Sequence, residues 1–155
     1  MWFISAVWGA DLDKGTGNIL GSHYVEGILN GLSGRDITHI RPTYFYYNLY
    51  GFIDMIKGAG FIAVNYGSED KIVLVSPIDI AAAIAEEIAT PTIGKKVRYV
   101  ASDEPTANEI ASILGAAIGK PDLKWVTITD EQMQSGLEAN GIPTLLAANL
   151  ELPVM

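Results

Sequence analysis

The stretch ITHIRPTYFYYNLYGF, Ile37–Phe52, joins a short β-branched run to a dense group of aromatic side chains. The run Ile37–Arg41 predicts a strand that stops at Pro42, because proline cannot take part in a central ladder. Six aromatic residues follow between Tyr44 and Phe52. Ligands of open α/β sheets bind beyond the carboxyl ends of the strands. The rings therefore stand where a ligand site is expected, provided that the sheet is parallel.

The sequence on both sides of this stretch alternates between strand-like and helix-like segments. Strand patterns occupy residues 1–7, 37–41, 61–66, 71–76, 95–102 and 123–128. Helix patterns occupy residues 18–32, 44–57, 77–88, 106–119, 129–139 and 144–150. Such alternation predicts an α/β fold with a mostly parallel sheet. The continuous apolar run Met1–Val7 predicts an interior strand that is buried on both faces. The length of 155 residues favours a single domain over residues 1–155.

Helix starts and helix faces can both be predicted from local patterns. Three starts carry N-capping signals, namely Ser76 with Pro77 and Asp79, Thr106 with Glu109, and Thr129 with Gln132. Apolar residues at helical spacing predict the buried faces: Leu20, Tyr24, Ile28 and Leu32 in one helix, Ile80, Ile84 and Ile88 in another, and Ile110, Ile113, Leu114 and Ala117 in a third.

The composition excludes several classes of site. The chain has no cysteine and only two histidines, which excludes disulfides, thiolate metal sites and a multi-histidine metal site. A net charge of −8 argues against nucleic acid and anionic membranes as partners. No apolar run approaches the length of a membrane span. These features fit a cytoplasmic protein without a metal, in which His39 is packed and the basic cluster Lys95-Lys96-x-Arg98 is a solvated strand edge.

The sequence contains no complete catalytic motif of the kinds that its residues suggest. The segment GADLDKGTGN, residues 9–18, lies between a strand and a helix but lacks G-x-G-x-x-G, which favours a flexible loop. The chain contains no Tyr-x-x-x-Lys, and Tyr24 is predicted to pack in the core. His23 and Glu26 have the spacing of an acid/base pair on a helix. Ser5 lacks the G-x-S-x-G context of a nucleophile. The catalytic residues are therefore left unknown.

The aromatic segment carries the best evidence for a site. At helical spacing, Tyr46, Tyr47 and Tyr50 face one way and can line a cleft, and Asn48 adds a donor and an acceptor. The opposite face, Phe45 with Leu49 and Phe52, is predicted to pack in the core. One face of the segment is then predicted to pack in the core, and the other to line a ligand pocket.

Five blocks of the sequence, in this order, resemble the NmrA-like branch of the atypical short-chain dehydrogenase/reductases. They are FISAVWGADLDKGTGNILGSHYVEGIL, ITHIRPTYFYYNL, VSPIDIAAAIAEEI, GKKVRYVASDEPTANEIASILGAAIGKP and WVTITDEQMQSGLEANGIP. In the family, a helix with an acidic residue near its middle, here Glu26, precedes a strand that ends in Leu/Ile-Arg-Pro. The resemblance covers nearly the whole chain.

The resemblance implies a fold and a cofactor. It implies the carboxyl-terminal half of a Rossmann-type parallel sheet with helices, plus a small α/β part that covers the substrate. The family's glycine-rich βαβ unit has no counterpart before Met1, so the chain is expected to be a truncated member that binds NAD(P) weakly or not at all by itself. Asn18 and Ser22 stand where several members keep a tyrosine or a lysine for proton relay.

The resemblance also implies a function. The expected activity is that of an NAD(P)-dependent oxidoreductase of quinone-reductase or NmrA-like type acting on a small molecule, of which a quinone is one candidate, with the isolated chain inactive. The nicotinamide would lie on Ser5, Ala6 and Val7 and approach the backbone of Pro42 and Thr43. The substrate cleft would be lined by Tyr44, Tyr46, Tyr47 and Asn48. The alternative is a non-enzymatic module that senses NAD(P) or self-associates through an exposed edge of the first strand.

Overall fold

The computed structural model describes the backbone of residues 2–6, 19–90 and 93–144, and the side chains of residues 24–90 and 93–144. The strands are β1 (Trp2–Ala6), β2 (Asp36–Pro42), β3 (Tyr44–Phe45), β4 (Ile62–Val64), β5 (Leu74–Val75), β6 (Lys95–Val100) and β7 (Trp125–Thr127). The helices are α1 (Ile19–Asn30), α2 (Ile53–Gly58), α3 (Pro77–Ala89), α4 (Ala107–Ala117) and α5 (Asp130–Ala139), and a 3-10 helix (Tyr46–Phe52) precedes α2. None of the helices described here is long and apolar enough to cross a membrane.

All strand ladders in the described part of the chain are parallel. β2 lies between β1 and β6, β3 pairs with β5, and β4 pairs with β7. Two isolated antiparallel bridges join Lys71 to Thr106 and Leu74 to Asp103. The predicted α/β class with a mostly parallel sheet is confirmed. The strand predicted from residues 1–7 is present as β1. It was predicted to be an interior strand, but among the described strands it is an outer strand of the three-stranded sheet and pairs with β2 alone. Its side chains lie outside the described residues.

The chain divides into two compact units. The first unit comprises Met1–Tyr46 and Val73–Asp103, and the second comprises Tyr47–Ile72 and Glu104–Met155. The first unit therefore contains the three-stranded sheet, the β3–β5 pair, α1 and α3. The second contains the β4–β7 pair, α2, α4 and α5.

Side chains of β2 and β6 alternate between the two faces of the first unit's sheet, as the period of a strand requires. On one face, Glu26 of α1 contacts His39 and Arg41 of β2. On the other face, Glu87 of α3 contacts Thr38 of β2. The two helices thus cover opposite faces of the same strands. The apolar core on the α3 face consists of Ile40, Val75, Ala83 and Val100, with Phe45, Ile80 and Ile84 packed against it.

The predicted face of α1 is wrong. Tyr24 is 70% exposed, and Ile28 and Leu32 are exposed as well, whereas Glu26 is only 4% exposed. The physical reason is that β2 presents a guanidinium and an imidazole, Arg41 and His39, to this helix. Their pairing with the Glu26 carboxylate turns the polar residue inward and leaves the apolar stripe outside.

The predicted face of α3 is correct only in its first two turns. Ile80 and Ile84 pack on the core cluster, but Ile88 is exposed. The last buried position of the helix is Glu87, whose carboxylate contacts Lys96 and Arg98. The prediction that the basic cluster of β6 is merely solvated is therefore wrong for these two cations. In α4, Ile110 is buried and Leu114 half-buried, but Ile113 and Ala117 are exposed.

The segment after Pro42 is not the single helix that its spacing predicted. The Thr43 N–H donates to the Val100 carbonyl at 3.1 Å, and the Tyr44 N–H donates to the Val73 carbonyl at 3.0 Å. These bonds hold the chain extended through β3, and only then does it turn into the 3-10 helix. Tertiary pairing here overrides the local pattern. The α-helical part begins at Ile53, and Phe52 in the N-cap position makes no side-chain capping bond.

Helix starts follow the predictions closely. Ser76 caps α3 by accepting a hydrogen bond from the Ile78 N–H, with Pro77 in the first helical position. Both predicted capping boxes, Thr106 with Glu109 and Thr129 with Gln132, are present with reciprocal bonds. The helix predicted over residues 144–150 lies outside the described residues except for Thr144.

Candidate functional site at the carboxyl edge of the first unit

The parallel register brings the ends of β1 and β2 to one edge of the first unit. Ser5 pairs with His39 and Ala6 pairs with Ile40, just before β2 ends at Pro42. The backbone of two residues that were expected to contact nicotinamide therefore lies beside the carboxyl end of β2. Val7 and the side chains of Ser5 and Ala6 lie outside the described residues. Contact of any of them with a nicotinamide ring stays a prediction.

Thr43 forms a fixed corner at this edge. It is buried, and both its N–H and its hydroxyl donate to the Val100 carbonyl, at 3.1 and 3.3 Å. The preceding Pro42 is buried and has no N–H to offer. Approach of a nicotinamide to this backbone stays a prediction, and these bonds leave neither Thr43 proton available for a cofactor.

A set of polar groups at the start of α3 lies next to this corner. The Ser76 N–H donates to Ser102 Oγ at 2.8 Å, and the Ser102 hydroxyl donates to a carboxylate oxygen of Asp79. The Leu74 carbonyl accepts from the N–H groups of both Ser102 and Asp103. These bonds tie the end of β6 to β5 and α3. We call Thr43, Tyr46, Asp79, Ser102 and Asp103 the carboxyl-edge group.

Tyr46 joins this group through the β3–β5 pair. Tyr44 is in register with Leu74 and Phe45 with Val75, so that the chain reaches Tyr46 at the level of Ser76 and the start of α3. Burial of the Tyr46 ring raises the pKa of its phenol, and the negative charges of Asp103 and Asp79 raise this pKa further. The phenol therefore stays protonated past its ordinary pKa of about 10.

The other predicted ring and amide residues belong to the second unit. Tyr47 and Tyr50 stack with ring centroids 6.0 Å apart and an interplanar angle of 30°, and both rings are largely exposed. Asn48 is half-buried. The prediction that one face of this segment packs in the core is confirmed for Phe52. This residue is buried, and its ring meets the Trp125 ring edge to face with the centroids 5.4 Å apart. A substrate-lining role for Tyr44, Tyr46, Tyr47 and Asn48 stays a prediction.

A polar network on the α1 face of the sheet holds the last residues of β2 in place. Arg41 donates to both Glu26 oxygens, at 2.7 and 3.3 Å, and to the Tyr99 hydroxyl at 2.8 Å. The Glu26 hydrogen bond raises the pKa of the guanidinium, which remains charged. His23, which has the spacing of an acid/base partner of Glu26, has its side chain outside the described residues. Arg41 engages the Glu26 carboxylate, which favours a structural role for Glu26 over an acid/base role.

His39 is packed, as predicted. It is almost fully buried, its Nε2 lies 2.9 Å from Asn30 Oδ1, and its Nδ1 lies 3.7 Å from a Glu26 oxygen. Burial lowers the pKa of His39, the Glu26 charge opposes this shift, and the Arg41 charge adds to it. The imidazole is therefore neutral in the folded chain at pH 7.

We expect stability to fall as the pH is lowered below about 6.5, the ordinary histidine pKa, because the unfolded chain takes up a proton that folded His39 resists. The loss continues until the pH reaches the lowered pKa of the folded state. One such group contributes at most about 1.4 kcal/mol per pH unit. Urea unfolding at pH 7.5 and 5.5 measures this slope. His39→Gln, which does not titrate, should flatten it, and an unchanged slope would contradict the assignment.

Ser102 and Asp103 were not predicted as site residues, and Asp79 was predicted only as part of a helix start. Ser102 and Asp103 lie two and three residues after the end of β6, and Asp79 lies in the first turn of α3, which follows β5. That position was the available signal, because it marks the carboxyl edge in a parallel sheet. In the part of the chain with described side chains, no three histidine, aspartate or glutamate residues form a metal-binding group.

Comparisons with known proteins identify the fold. Neither a protein-family model nor a curated protein sequence matches the chain significantly. Solved structures do match. An NADPH-dependent quinone oxidoreductase from Escherichia coli, in complex with NADPH, matches with a TM-score of 0.77 and 22% identity over 96% of this chain and 52% of that chain. A nucleoside-diphosphate-sugar epimerase from Staphylococcus aureus matches with a TM-score of 0.73 and 20% identity over 96% of this chain and 53% of that chain.

A triphenylmethane reductase from Citrobacter sp. matches with a TM-score of 0.70 and 17% identity over 94% of this chain and 51% of that chain. The chain therefore has a Rossmann-like α/β fold of the kind that these structures share, and the resemblance to NmrA-like atypical short-chain dehydrogenase/reductases is confirmed at the level of the fold. The chain spans about half the length of the solved structures that it matches.

Proposed function

We propose that this chain supplies the nicotinamide and substrate side of an NAD(P)H-dependent oxidoreductase of quinone-reductase or NmrA-like type. In this proposal the nicotinamide lies on the backbone of Ser5, Ala6 and Val7 and against Pro42 and Thr43. Tyr44, Tyr46, Tyr47 and Asn48 contact the substrate, a small molecule of which a quinone is one candidate. The protein acts in the cytoplasm as a single domain over residues 1–155.

One observation carries this proposal: the carboxyl ends of β1, β2 and β6 meet at an edge where polar side chains also gather. In open α/β sheets this is the edge that binds ligands. A matched solved structure, the Escherichia coli quinone oxidoreductase, is described as holding NADPH. The present sequence contains no G-x-G-x-x-G motif, the backbone turn on which pyrophosphate normally rests. The isolated chain is therefore proposed to bind whole NAD(P) weakly and to be inactive alone.

Fragments of the cofactor test this proposal directly. Reduced nicotinamide mononucleotide should perturb backbone amide signals of Ser5, Ala6, Thr43 and Ser102 in an NMR titration, with millimolar affinity. The matched ligand 2′,5′-ADP carries the other half of the cofactor and should leave these signals unchanged. Perturbation by both fragments alike, or by neither, would contradict the proposal. Tight binding of NADPH in a fluorescence titration would contradict the weak-binding part of it.

The alternative function is a non-enzymatic module that senses NAD(P) or self-associates. One observation favours self-association, namely a row of exposed apolar residues formed by Tyr24, Val25 and Ile28 on α1 and by Leu32 just after the helix. Rows of this kind on a soluble protein often mark an interaction surface. Static light scattering over a concentration series distinguishes the two functions. A monomer at all concentrations counts against the alternative, whereas a dimer that Ile28→Glu dissociates supports it.

A further inference from the structure

The hydroxyl groups at the carboxyl edge of the first unit differ in whether their protons are already used. The Thr43 hydroxyl donates to the Val100 carbonyl, and the Ser102 hydroxyl donates to Asp79. Ser76 Oγ is the N-cap acceptor for the Ile78 N–H. Tyr44 is half-buried and already has an interaction partner. The Thr43 and Ser102 protons are therefore engaged, and the Ser76 oxygen and Tyr44 already have partners within the chain.

Tyr46 is the exception. The residue is 37% exposed. Within residues 24–90 and 93–144, its hydroxyl makes no hydrogen bond to another side chain or to the backbone. A phenol in this position carries one donor that is available to a molecule bound at the edge. The partly buried ring also loses less freedom on binding than a fully exposed one would.

The charges around this phenol decide what it can donate to. The carboxylates of Asp79 and Asp103 act on Tyr46 and disfavour the phenolate form, which keeps the hydroxyl protonated. A neutral donor of this kind suits a neutral acceptor, such as the oxygen of a carbonyl group. It suits an anionic ligand poorly, because the same two carboxylates would repel the ligand.

We propose that Tyr46 is the side chain that recognises the carbonyl oxygen of the substrate, by donating a hydrogen bond from its neutral phenol. The inference rests on the proposed function and adds to it the ligand chemistry, a neutral carbonyl compound, and the residue that selects it. Tyr46 is a binding and specificity residue in this proposal. It keeps its proton and takes no part in proton transfer.

A pair of ligands that differ in their carbonyl oxygens tests the proposal on the 155-residue chain. Menadione is a planar neutral quinone, and 2-methylnaphthalene has the same carbon skeleton without the two oxygens. The chain has no cysteine, so thiol addition to the quinone does not interfere. Saturation-transfer NMR gives the affinity for each ligand below its solubility limit. We expect the wild-type chain to prefer menadione by about fivefold to tenfold, the contribution of one net hydrogen bond.

The variant Tyr46→Phe should lose this preference and keep its affinity for 2-methylnaphthalene. The matched variant Tyr24→Phe removes an exposed hydroxyl from α1, outside the proposed substrate site, and should keep the preference. Thermal unfolding of both variants checks that the fold is intact. A preference that persists in Tyr46→Phe overturns the proposal and leaves the proposed function standing. Failure of menadione to bind the wild-type chain overturns this proposal, and failure of reduced nicotinamide mononucleotide as well overturns the proposed function.

Discussion

The variant Glu87→Gln should lower the free energy of unfolding by about 2–4 kcal/mol. Glu87 is only 4% exposed, and its carboxylate contacts Lys96 Nζ at 2.7 Å and Arg98 Nη1 at 2.9 Å. Removing one member of a buried ion pair leaves the others uncompensated and commonly costs about 3–5 kcal/mol. We reduce the range because both cations keep about a third of their side-chain surface exposed and regain some hydration. Urea unfolding at pH 7 measures the loss, which is a large fraction of a typical domain stability of about 5–15 kcal/mol.

The neighbouring glutamate provides the control. Glu86 also contacts Arg98, but its side chain is 67% exposed. Exposed ion pairs contribute at most about 1 kcal/mol, so Glu86→Gln should cost less than that. The comparison separates burial from charge, because both variants remove one negative charge next to the same guanidinium. Equal losses in the two variants would show that burial of Glu87 does not matter.

The pH dependence of the same group has a defined sign. The hydrogen bond from Lys96 lowers the pKa of Glu87 most, burial opposes this shift, and the hydrogen bond from Arg98 lowers the pKa further. Because the folded-state pKa is depressed, the stabilisation is fully present above the ordinary glutamate pKa of about 4.5. It is lost as the pH falls from there through the lowered pKa of the folded state. Glu87→Gln should therefore lose less stability than the wild-type chain between pH 5 and pH 3.

The parts of the fold that could be predicted from the sequence depend on contacts between near neighbours. A capping box needs only Thr106 and Glu109, three residues apart, and the structure contains it. The strand over Ile37–Arg41 is also local, because β-branched residues favour the extended chain and Pro42 stops it. The parallel sheet was predicted from the alternation of strands and helices along the sequence. The connection between two strands largely determines whether they pair in parallel.

The helix faces could not be predicted because their partners are distant in sequence. An apolar stripe indicates the buried face only where the facing surface is also apolar. Here Arg41 lies 15 residues after Glu26, and Arg98 lies 11 residues after Glu87. In each case the sheet presents a cation to the helix, and the buried carboxylate takes the position that an isoleucine or tyrosine was predicted to fill.

The candidate site could be predicted only in its location. The aromatic segment and Pro42 pointed to the carboxyl edge, which the register of β1 and β2 supports. The polar residues Asp79 and Ser102 come from two further segments, 23 residues apart. Their meeting depends on the bonds from the Ser102 and Asp103 N–H groups to the Leu74 carbonyl. No local sequence pattern indicates these long-range bonds, so this part of the site could not be predicted.

The second large effect is expected from Gly67→Ala, which should lower the free energy of unfolding by about 2–5 kcal/mol. Gly67 has a φ of +109°, which an L side chain adopts at a cost of about 1–2 kcal/mol. An added Cβ would also stand 2.3 Å from Trp125 Nε1 and 2.7 Å from Ala107 Cβ. Ala107 is fully buried, so it has no room to move away. Overpacking of this kind adds about 1–3 kcal/mol.

The damage should concentrate in the second unit. Trp125 Nε1 donates to the Tyr66 carbonyl at 2.7 Å, and the Trp125 ring packs edge to face on Phe52 and Tyr66. Displacing the indole breaks this hydrogen bond and loosens the β4–β7 pair that Trp125 begins. Hydrogen exchange should therefore quicken at the amides of β4 and β7, while urea unfolding gives the total loss.

Gly60→Ala separates the two causes. Gly60 also has a positive φ, +79°, but nothing lies within 4 Å of the Cβ that alanine would add. This variant should lose only the conformational contribution, about 1–2 kcal/mol, and should leave exchange in β7 unchanged. If Gly67→Ala costs no more than Gly60→Ala, the indole does not close over the backbone at Gly67. The packing described for the second unit would then be wrong at its centre, because Trp125 is the side chain that joins Phe52, Tyr66 and α4 there.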